Sequence, residues 1–585
     1  MGLDENATTN RHDGNMNRRN AEILGSLKAR WAGAWLTAPW APLALIWSGF
    51  GLVVAFVMWC WGSQGWPLGS YWWDDLALSG GVHAIRTGLR PTVDFWAPFI
   101  LPLYLKLFAQ DLAGVAAGYV AECLLQGAAI LVLLSVLLGR VRHSPSVYLC
   151  GVWVVALAIL PFNLGSIAEA QLGSVAFAGS YNRFGSALIG LVLMMPMARR
   201  DESRDGVLVP WLAGVFVLAF FTKITVFQIA FAICLAHAIL CGGAGSRSVL
   251  LKATLLAALA SVLVLQWFDG GGGYLSALKD MSELRMIGMQ ERLETCLMLL
   301  AHHRLELFLM VLVALLVAVR GLILRQAWAG QVSCYLAAVL LITLYTLTNF
   351  GDNGLAPAVV AMQGLLFLQT RESRADERVA SDAALRLALL LRRITDWMWA
   401  GLGTAYVVLH VHYALTFFIG DADSRIVHIP ASTSFFARNH TVSEQAWLDR
   451  TPISVRGVPV NERSPRTYAA YVAGLDEAAL FLAQTVPDRS KSVYALDFPA
   501  YVFSLVEGYR VPRGGYPWLL YGHELTIDFH PAPAVLLADV DVLMVSRCSI
   551  ALGNRRFLAR IYRVELEKNW RKLASLTCWD AYERK

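Results

Sequence analysis

Apolar blocks of about 15 to 25 residues recur through the first 418 positions of this chain. Each is long enough that it has to be buried in a large core or in lipid. They fall at Pro42–Trp61 and near 112–138, 147–161, 184–198, 207–221, 224–241, 249–268, 305–319, 332–348, 355–369 and 397–418. The residues are 57% hydrophobic and 16% charged, with a mean hydropathy of +0.51. A soluble protein would carry about 25% charged residues. The pattern predicts a polytopic α-helical membrane protein of about eleven transmembrane helices. Residues 1–30 are polar, and the first apolar block is long enough to stay as a helix, so no cleavable signal peptide is expected.

Orientation follows from the basic residues. With a cytoplasmic N-terminus, the inner segments hold 20 Lys and Arg, and the outer segments before residue 397 hold 9. Eleven spans then place the C-terminus outside. The net charge of +6 belongs to these inner anchors, and no nucleic-acid partner is implied.

Three parts follow: a polar cytoplasmic tail (1–41), a membrane part (42–418) whose first outer loop is 62–111, and an outer domain (419–585). In the last part "SVYALDF" (492–498) and "DVLMVS" (541–546) read as buried strands, and "EAALFLAQTV" (477–486) as an amphipathic helix. Alternating strands and helices predict a soluble α/β domain. Seven of the nine cysteines lie in or beside apolar blocks and read as small buried hydrophobes. Cys548 and Cys578 lie in the outer domain, where an oxidising compartment permits a disulfide. "DGGGGY" (269–274) reads as a flexible entry into an outer loop.

The first outer loop contains "YWWDDLALSGGVHAIRTGLRPTVDF" (71–95). Leu78, Val82 and Ile85 share one helical face, and Gly88 with Pro91 beyond it marks a stop. A short helix on the outer membrane surface is expected, with Asp74 or Asp75 at its N-terminus. Aspartate is a favoured N-cap, yet two acids exceed what one cap needs. Successive helical side chains diverge by about 100°, so one acid can cap while the other faces a cavity.

The stretch from Trp72 to Phe108 resembles the first outer loop of GT-C glycosyltransferases, among them protein O-mannosyltransferases, lipid A aminoarabinose transferases and arabinosyltransferases. The shared pattern is an acidic pair after the first span, a short helix, "G-x-x-P-x-x-D-F" and a proline-rich re-entry. One departure is the absence of a Lys before Lys106, where the aminoarabinose transferases carry "K-P-P". The resemblance implies an inverting glycosyltransferase in a bacterial inner membrane, with its C-terminal domain periplasmic. It would move a sugar from a polyprenyl-phosphate donor to a glycan, lipid or protein acceptor. Asp74 matches the first acid of the family pair and is the expected base, with Asp75 supporting it. A carboxylate can take the acceptor hydroxyl's proton as it attacks, and the departing lipid phosphate needs cations.

The expected substrate-binding residues are Asp94, Arg183, Lys223, Arg285, Arg292, His303 and Arg304, the cations at the outer interface serving phosphate. Each cation can equally be an interfacial anchor. Glu122 either faces a cavity or pairs with a buried cation such as Lys223. Asp497, His523, Glu524 and Asp528 read mainly as polar surface, since no Gly-x-Ser-x-Gly elbow accompanies them. No residue set demands a cofactor; a divalent metal stays open. A polysaccharide transporter or flippase would need charges along several spans. An O-antigen polymerase or ligase would lack the acidic pair.

Overall fold

The computed structural model describes residues 66–68, 72–138, 180–195, 205–240, 244–269, 272–286, 465–521 and 525–585, with shorter stretches at 47–49, 51–52, 426–427, 440–443, 454–455 and 458–459 and scattered single positions. At some of these residues, 72–75, 115–117, 119–120, 283–286 and 465–470 among them, it describes the backbone alone. The apolar blocks at 147–161, 305–319, 332–348, 355–369 and 397–418, and most of Pro42–Trp61, lie outside these residues. The described chain is mostly helical, with a small C-terminal sheet.

Strand β1 (Trp66–Leu68) precedes helix α1 (Trp72–Arg86). Helix α1 closes as its sequence suggests. Gly88 adopts φ +91°, Gly88 N–H donates to Ile85 at 2.9 Å, and Leu89 N–H donates to Ala84 at 3.0 Å. These are the two bonds of a Schellman stop, which needs a residue that tolerates positive φ. The helix starts at Trp72, so Asp74 and Asp75 lie inside its first turn rather than at its cap.

Helix α2 (Ile100–Leu138) is a hairpin. Gly114 sits at φ 84°, ψ 166°, outside helical space, in a region that essentially only glycine occupies. Lys106 and Glu122 are 3.3 Å apart, although a straight helix would separate them by about 24 Å. A Cβ on Gly118 would lie 3.3 Å from the Gln110 Cα. Both pairs are centred on Gly114, so the chain folds back there. Helix α2 is therefore two limbs, 100–113 and 115–138, and the apolar block near 112–138 is essentially the second of them.

Helices α3 (Ser180–Met194), α4 (Asp205–Thr222), α5 (Ile224–Leu240) and α6 (Ala244–Asp269) follow, then α7 (Gly273–Met286). Lys223 alone separates α4 from α5. Phe216 meets Phe231 at 6.0 Å and Phe220 meets Phe227 at 5.8 Å, so α4 and α5 form a second hairpin. Helix α3 packs on α2 and α5, and α4 packs on α2 and α6. Among the described residues, two stretches are long and apolar enough to cross a membrane, Ala121–Leu138 and Gly245–Phe268, and Gly206–Thr222 and Ile224–Leu240 are shorter apolar helices. Gly273 starts α7 directly against the Thr92 carbonyl, which a Cβ would meet at 2.4 Å. Gly273 thus permits a close backbone approach to the first outer loop.

Strands β2 (Ile426–Val427) and β3 (His440–Ser443) form one small sheet with β1, in which β1 and β3 run parallel. Strands β4 (Ser454–Val455) and β5 (Val458–Pro459) pair as a short hairpin. The C-terminal unit then runs α8 (Pro465–Thr485), β6 (Val493–Leu496), α9 (Val502–Glu507), α10 (Pro533–Leu536), β7 (Val542–Ser546), α11 (Leu552–Ile561), α12 (Arg563–Asn569), β8 (Trp570–Ser575) and β9 (Trp579–Arg584). Its sheet order is β6-β7-β9-β8, with β6 parallel to β7 and the other pairs antiparallel. Every residue of β6 and β7 is buried, as their unbroken apolar runs require. Tyr471, Leu475, Ala478 and Leu482 line the buried face of α8 at helical spacing. A disulfide joins Cys548 to Cys578, the pair that stood open in the sequence. Cys123 and Cys234 are buried free thiols.

Helix α1 does not lie free on a surface. Leu76, Leu78 and Val82 share one buried core with Tyr494, Tyr501 and Trp518 of the C-terminal unit. A Cβ on Gly80 would lie 2.9 Å from the Tyr501 Cβ, and one on Gly81 would lie 2.8 Å from Leu103. Two adjacent glycines let α1 sit tightly between the C-terminal unit and α2.

Candidate functional site

The first turn of α3 gathers charged and polar side chains from both limbs of α2 and from the α4–α5 turn. Glu122 on the second limb of α2 is 2% exposed and faces Lys106, which has no exposure at all. Ser180 Oγ donates to Glu122 Oε1 at 2.5 Å, and Gln126 Nε2 donates to the same oxygen at 3.2 Å. The partner of Glu122 is therefore Lys106, not Lys223. Lys223 reaches from the α4–α5 turn to Asn182 Oδ1 at 3.0 Å, with its ammonium 5.5 Å from the Tyr181 ring centre. Arg183 is buried beside them, its guanidinium 4.0 Å from Cys123 Sγ. Among the described residues of α2 to α6, the buried charged side chains other than histidine are Lys106, Arg183, Lys223 and Glu122.

Burying charge among apolar helices is costly unless it is paired and hydrogen-bonded. Here the cations converge on the N-terminal turn of α3, and Lys223 precedes the N-terminus of α5. Helix N-termini carry partial positive charge and unsatisfied N–H groups. The arrangement suits an anionic oxygen-rich group such as phosphate.

Helix α1 is fastened to this cluster through Gln110. Gln110 Nε2 donates to Ser79 Oγ at 3.2 Å, and Arg86 donates to Gln110 Oε1 at 3.2 Å and to Asp111 at 2.5 Å. Gln110 lies one turn from Lys106 on the same limb. The helix carrying Asp74 and Asp75 is thus tied to the limb whose lysine pairs with Glu122. Burial and the neighbouring Arg86 hold the His83 imidazole below its ordinary pKa, which leaves it neutral at pH 7.

Asp94 was expected among the substrate contacts, but the structure engages it in the scaffold. Its Oδ2 accepts the Arg90 N–H at 2.8 Å, and its Oδ1 lies 4.0 Å from Arg513 Nε. Its carbonyl accepts the Gly514 N–H at 2.7 Å, and Trp96 N–H donates to the Gly515 carbonyl at 3.1 Å. Thr92 has φ 67° in the same turn. The "PTVDF" turn thereby latches onto "RGGYPW" of the C-terminal unit. An aromatic seam continues the latch: Trp96 stacks on Tyr516 at 4.7 Å, and Phe99 lies between Trp518 at 5.8 Å and Tyr181 at 5.1 Å.

The structure therefore brings Arg183 and Lys223 to one helix turn and places Asp94 elsewhere. Asp74 and Asp75 are placed by backbone only, and Arg285 sits near the end of α7 on the same terms. Arg292, His303 and Arg304 lie outside the described residues, as do His523 and Glu524. Asp528 is exposed, as expected. Asp497 is not surface: it is 1% exposed at the end of β6 and accepts hydrogen bonds from Ser549 Oγ and the Phe498 N–H. Lys106, Gln110, Gln126, Ser180 and Asn182 were missed. The available signal was polar residues four apart inside apolar runs, Lys106 with Gln110 and Glu122 with Gln126. Among the described residues no group of three or more His, Cys, Asp or Glu could hold a metal. No family model, curated protein or solved structure matches this chain.

Proposed function

We propose that this chain is a polytopic membrane glycosyltransferase that transfers a sugar from a polyprenyl-phosphate donor to an acceptor on the outer face of an inner membrane. The observation that carries the reading is the first turn of α3, where Arg183 and the Asn182–Lys223 contact meet the Lys106–Glu122 pair inside apolar helices. In this reading Arg183 and Lys223 hold the donor phosphate, with the helix ends of α3 and α5 adding donors. Asp74 in the first turn of α1 takes the acceptor proton, and Asp75 supports it. The remaining apolar blocks complete about eleven spans. Two features support an outer location for the C-terminal unit. It shares a core with the first outer loop, and its disulfide suits an oxidising compartment.

The test is incubation of the purified protein with radiolabelled polyprenyl-phosphate sugars and cell-envelope extract. Label should pass from lipid to an acceptor in the extract, and Lys223→Met should weaken donor binding. Absence of transfer from every sugar tried, with the donor unbound, would refute the reading.

A further inference from the structure

Helices α11 and α12 carry a basic outer face that the proposed reaction does not use. Residues 547–572 hold six Arg and two Lys against two Glu. Most of this charge is accounted for locally. Arg563 pairs with Glu567 at 3.2 Å, Lys572 with Asp580 at 3.0 Å, and Arg571 with Glu583. Arg556 and Arg560 are exposed, one turn apart on α11, with no acidic partner among the described residues. The opposite face is pinned to the domain. Leu558, Tyr562 and Leu566 are buried, and Asn554 Oδ1 accepts the Tyr521 N–H at 2.7 Å.

The arginines are accompanied by exposed aliphatic side chains. Val564, just past the α11–α12 junction, is 74% exposed, and Ile527 is 42% exposed. Tyr562 Oη donates to the Pro531 carbonyl at 3.0 Å, and His530 Nδ1 lies 3.1 Å from the Ile527 carbonyl. The 527–531 turn is therefore held at the same junction. Water-exposed arginines alone would be an ordinary solvated face. Arginines interleaved with protruding aliphatics are what an anionic bilayer surface takes up, phosphates on the cations and the methyl groups among the headgroups. Continuity argues the same way. The C-terminal core is fused to α1 and to Leu103 at the start of α2, whose second limb contains an apolar stretch of membrane-crossing length. The domain thus stands within a short helix length of that limb.

We propose that the Arg556–Arg560 face, with Val564 and Ile527, docks the C-terminal unit on anionic phospholipid headgroups of the membrane in which the chain sits. The proposal rests on the chain being a membrane protein but not on sugar transfer. Failure of transfer would leave it standing, and its own failure would leave transfer untouched.

The full chain is reconstituted in phosphatidylcholine vesicles with and without phosphatidylglycerol, and amide hydrogen exchange is followed over residues 552–569. Exchange should slow in the anionic vesicles and recover at high salt. Each arginine near such a surface contributes about fivefold in affinity, so Arg556→Glu with Arg560→Glu should remove the difference. Strands β6 and β7 should exchange as before, which reports that the domain is folded. If they do not, Arg556→Gln with Arg560→Gln takes the place of the reversal and should weaken the effect by more than about tenfold. Equal exchange in both vesicles would overturn the proposal. So would undiminished protection in a folded variant, or equal slowing in neutral vesicles by inorganic phosphate alone.

Discussion

Lys106 and Glu122 stand 3.3 Å apart across the Gly114 turn, and neither side chain is more than 2% exposed. Breaking a buried pair strands a charge, at about 3–5 kcal/mol. Glu122→Gln alone and Lys106→Met alone should each lower the thermal midpoint of the detergent-solubilised protein sharply. The double variant should recover most of the loss. Additive losses in that cycle would show the two side chains to be uncoupled.

The turn itself is the next target. Gly114→Ala forces a Cβ into φ 84°, ψ 166°, which costs of order 1–3 kcal/mol. Gly118→Ala would also press on Gln110, its Cβ lying 2.7 Å from the Gln110 Cγ. Both should destabilise the protein, while Gly214→Ala, with open space around it, should be neutral or mildly stabilising. Thermal unfolding of the three variants side by side distinguishes a hairpin from a gently bent helix, which would tolerate the first two.

How much of this was legible in the chain depended on range. Local signals read well. The Gly88 stop, strands β6 and β7 and helix α8 each follow from residues within a few positions of one another. The hairpin in α2 did not, because apolar composition runs straight through Gly114 and only the backbone angle separates the limbs. The burial of α1 was also hidden. Gly80 and Gly81 look like loop residues until Tyr501 and Leu103, hundreds of residues away in one case, come to rest on them. The latching of Asp94 to Arg513 and Gly514 was hidden for the same reason, because it is non-local.

Asp497 offers a pH test. Burial raises its carboxyl pKa above the ordinary 3.8, and the Ser549 hydrogen bond offsets only part of that. The folded state holds the proton longer than the unfolded state. The contribution of Asp497 to stability is therefore full below about 4 and is lost as pH rises through its folded pKa. Asp497→Asn should remove that component of the slope and leave a flatter curve of thermal midpoint against pH. An unchanged slope would place Asp497 in contact with water.

The Cys548–Cys578 bridge closes a loop with a sequence separation of 30, a length for which about 3.6 kcal/mol of stabilisation is expected. Cys548→Ser with Cys578→Ser should lower the unfolding midpoint of the C-terminal unit by that order. In protein isolated without reductant, maleimide should leave both positions unlabelled until a reductant is added. Full labelling beforehand would count against an oxidising compartment and against the outer placement of the domain.

The central claim is that Asp74 is the base of a sugar transfer whose donor phosphate is held elsewhere, by Arg183 and Lys223. The direct measurement is the rate of transfer from a polyprenyl-phosphate sugar by Asp74→Asn, taken with its thermal midpoint and its donor affinity. Asparagine matches aspartate in size and in its propensity inside a helix, so folding and donor binding should persist. Transfer should fall by about a hundredfold to ten-thousandfold, with Asp75→Asn less affected. A folded Asp74→Asn protein that binds donor and transfers sugar at a near-normal rate would contradict the account.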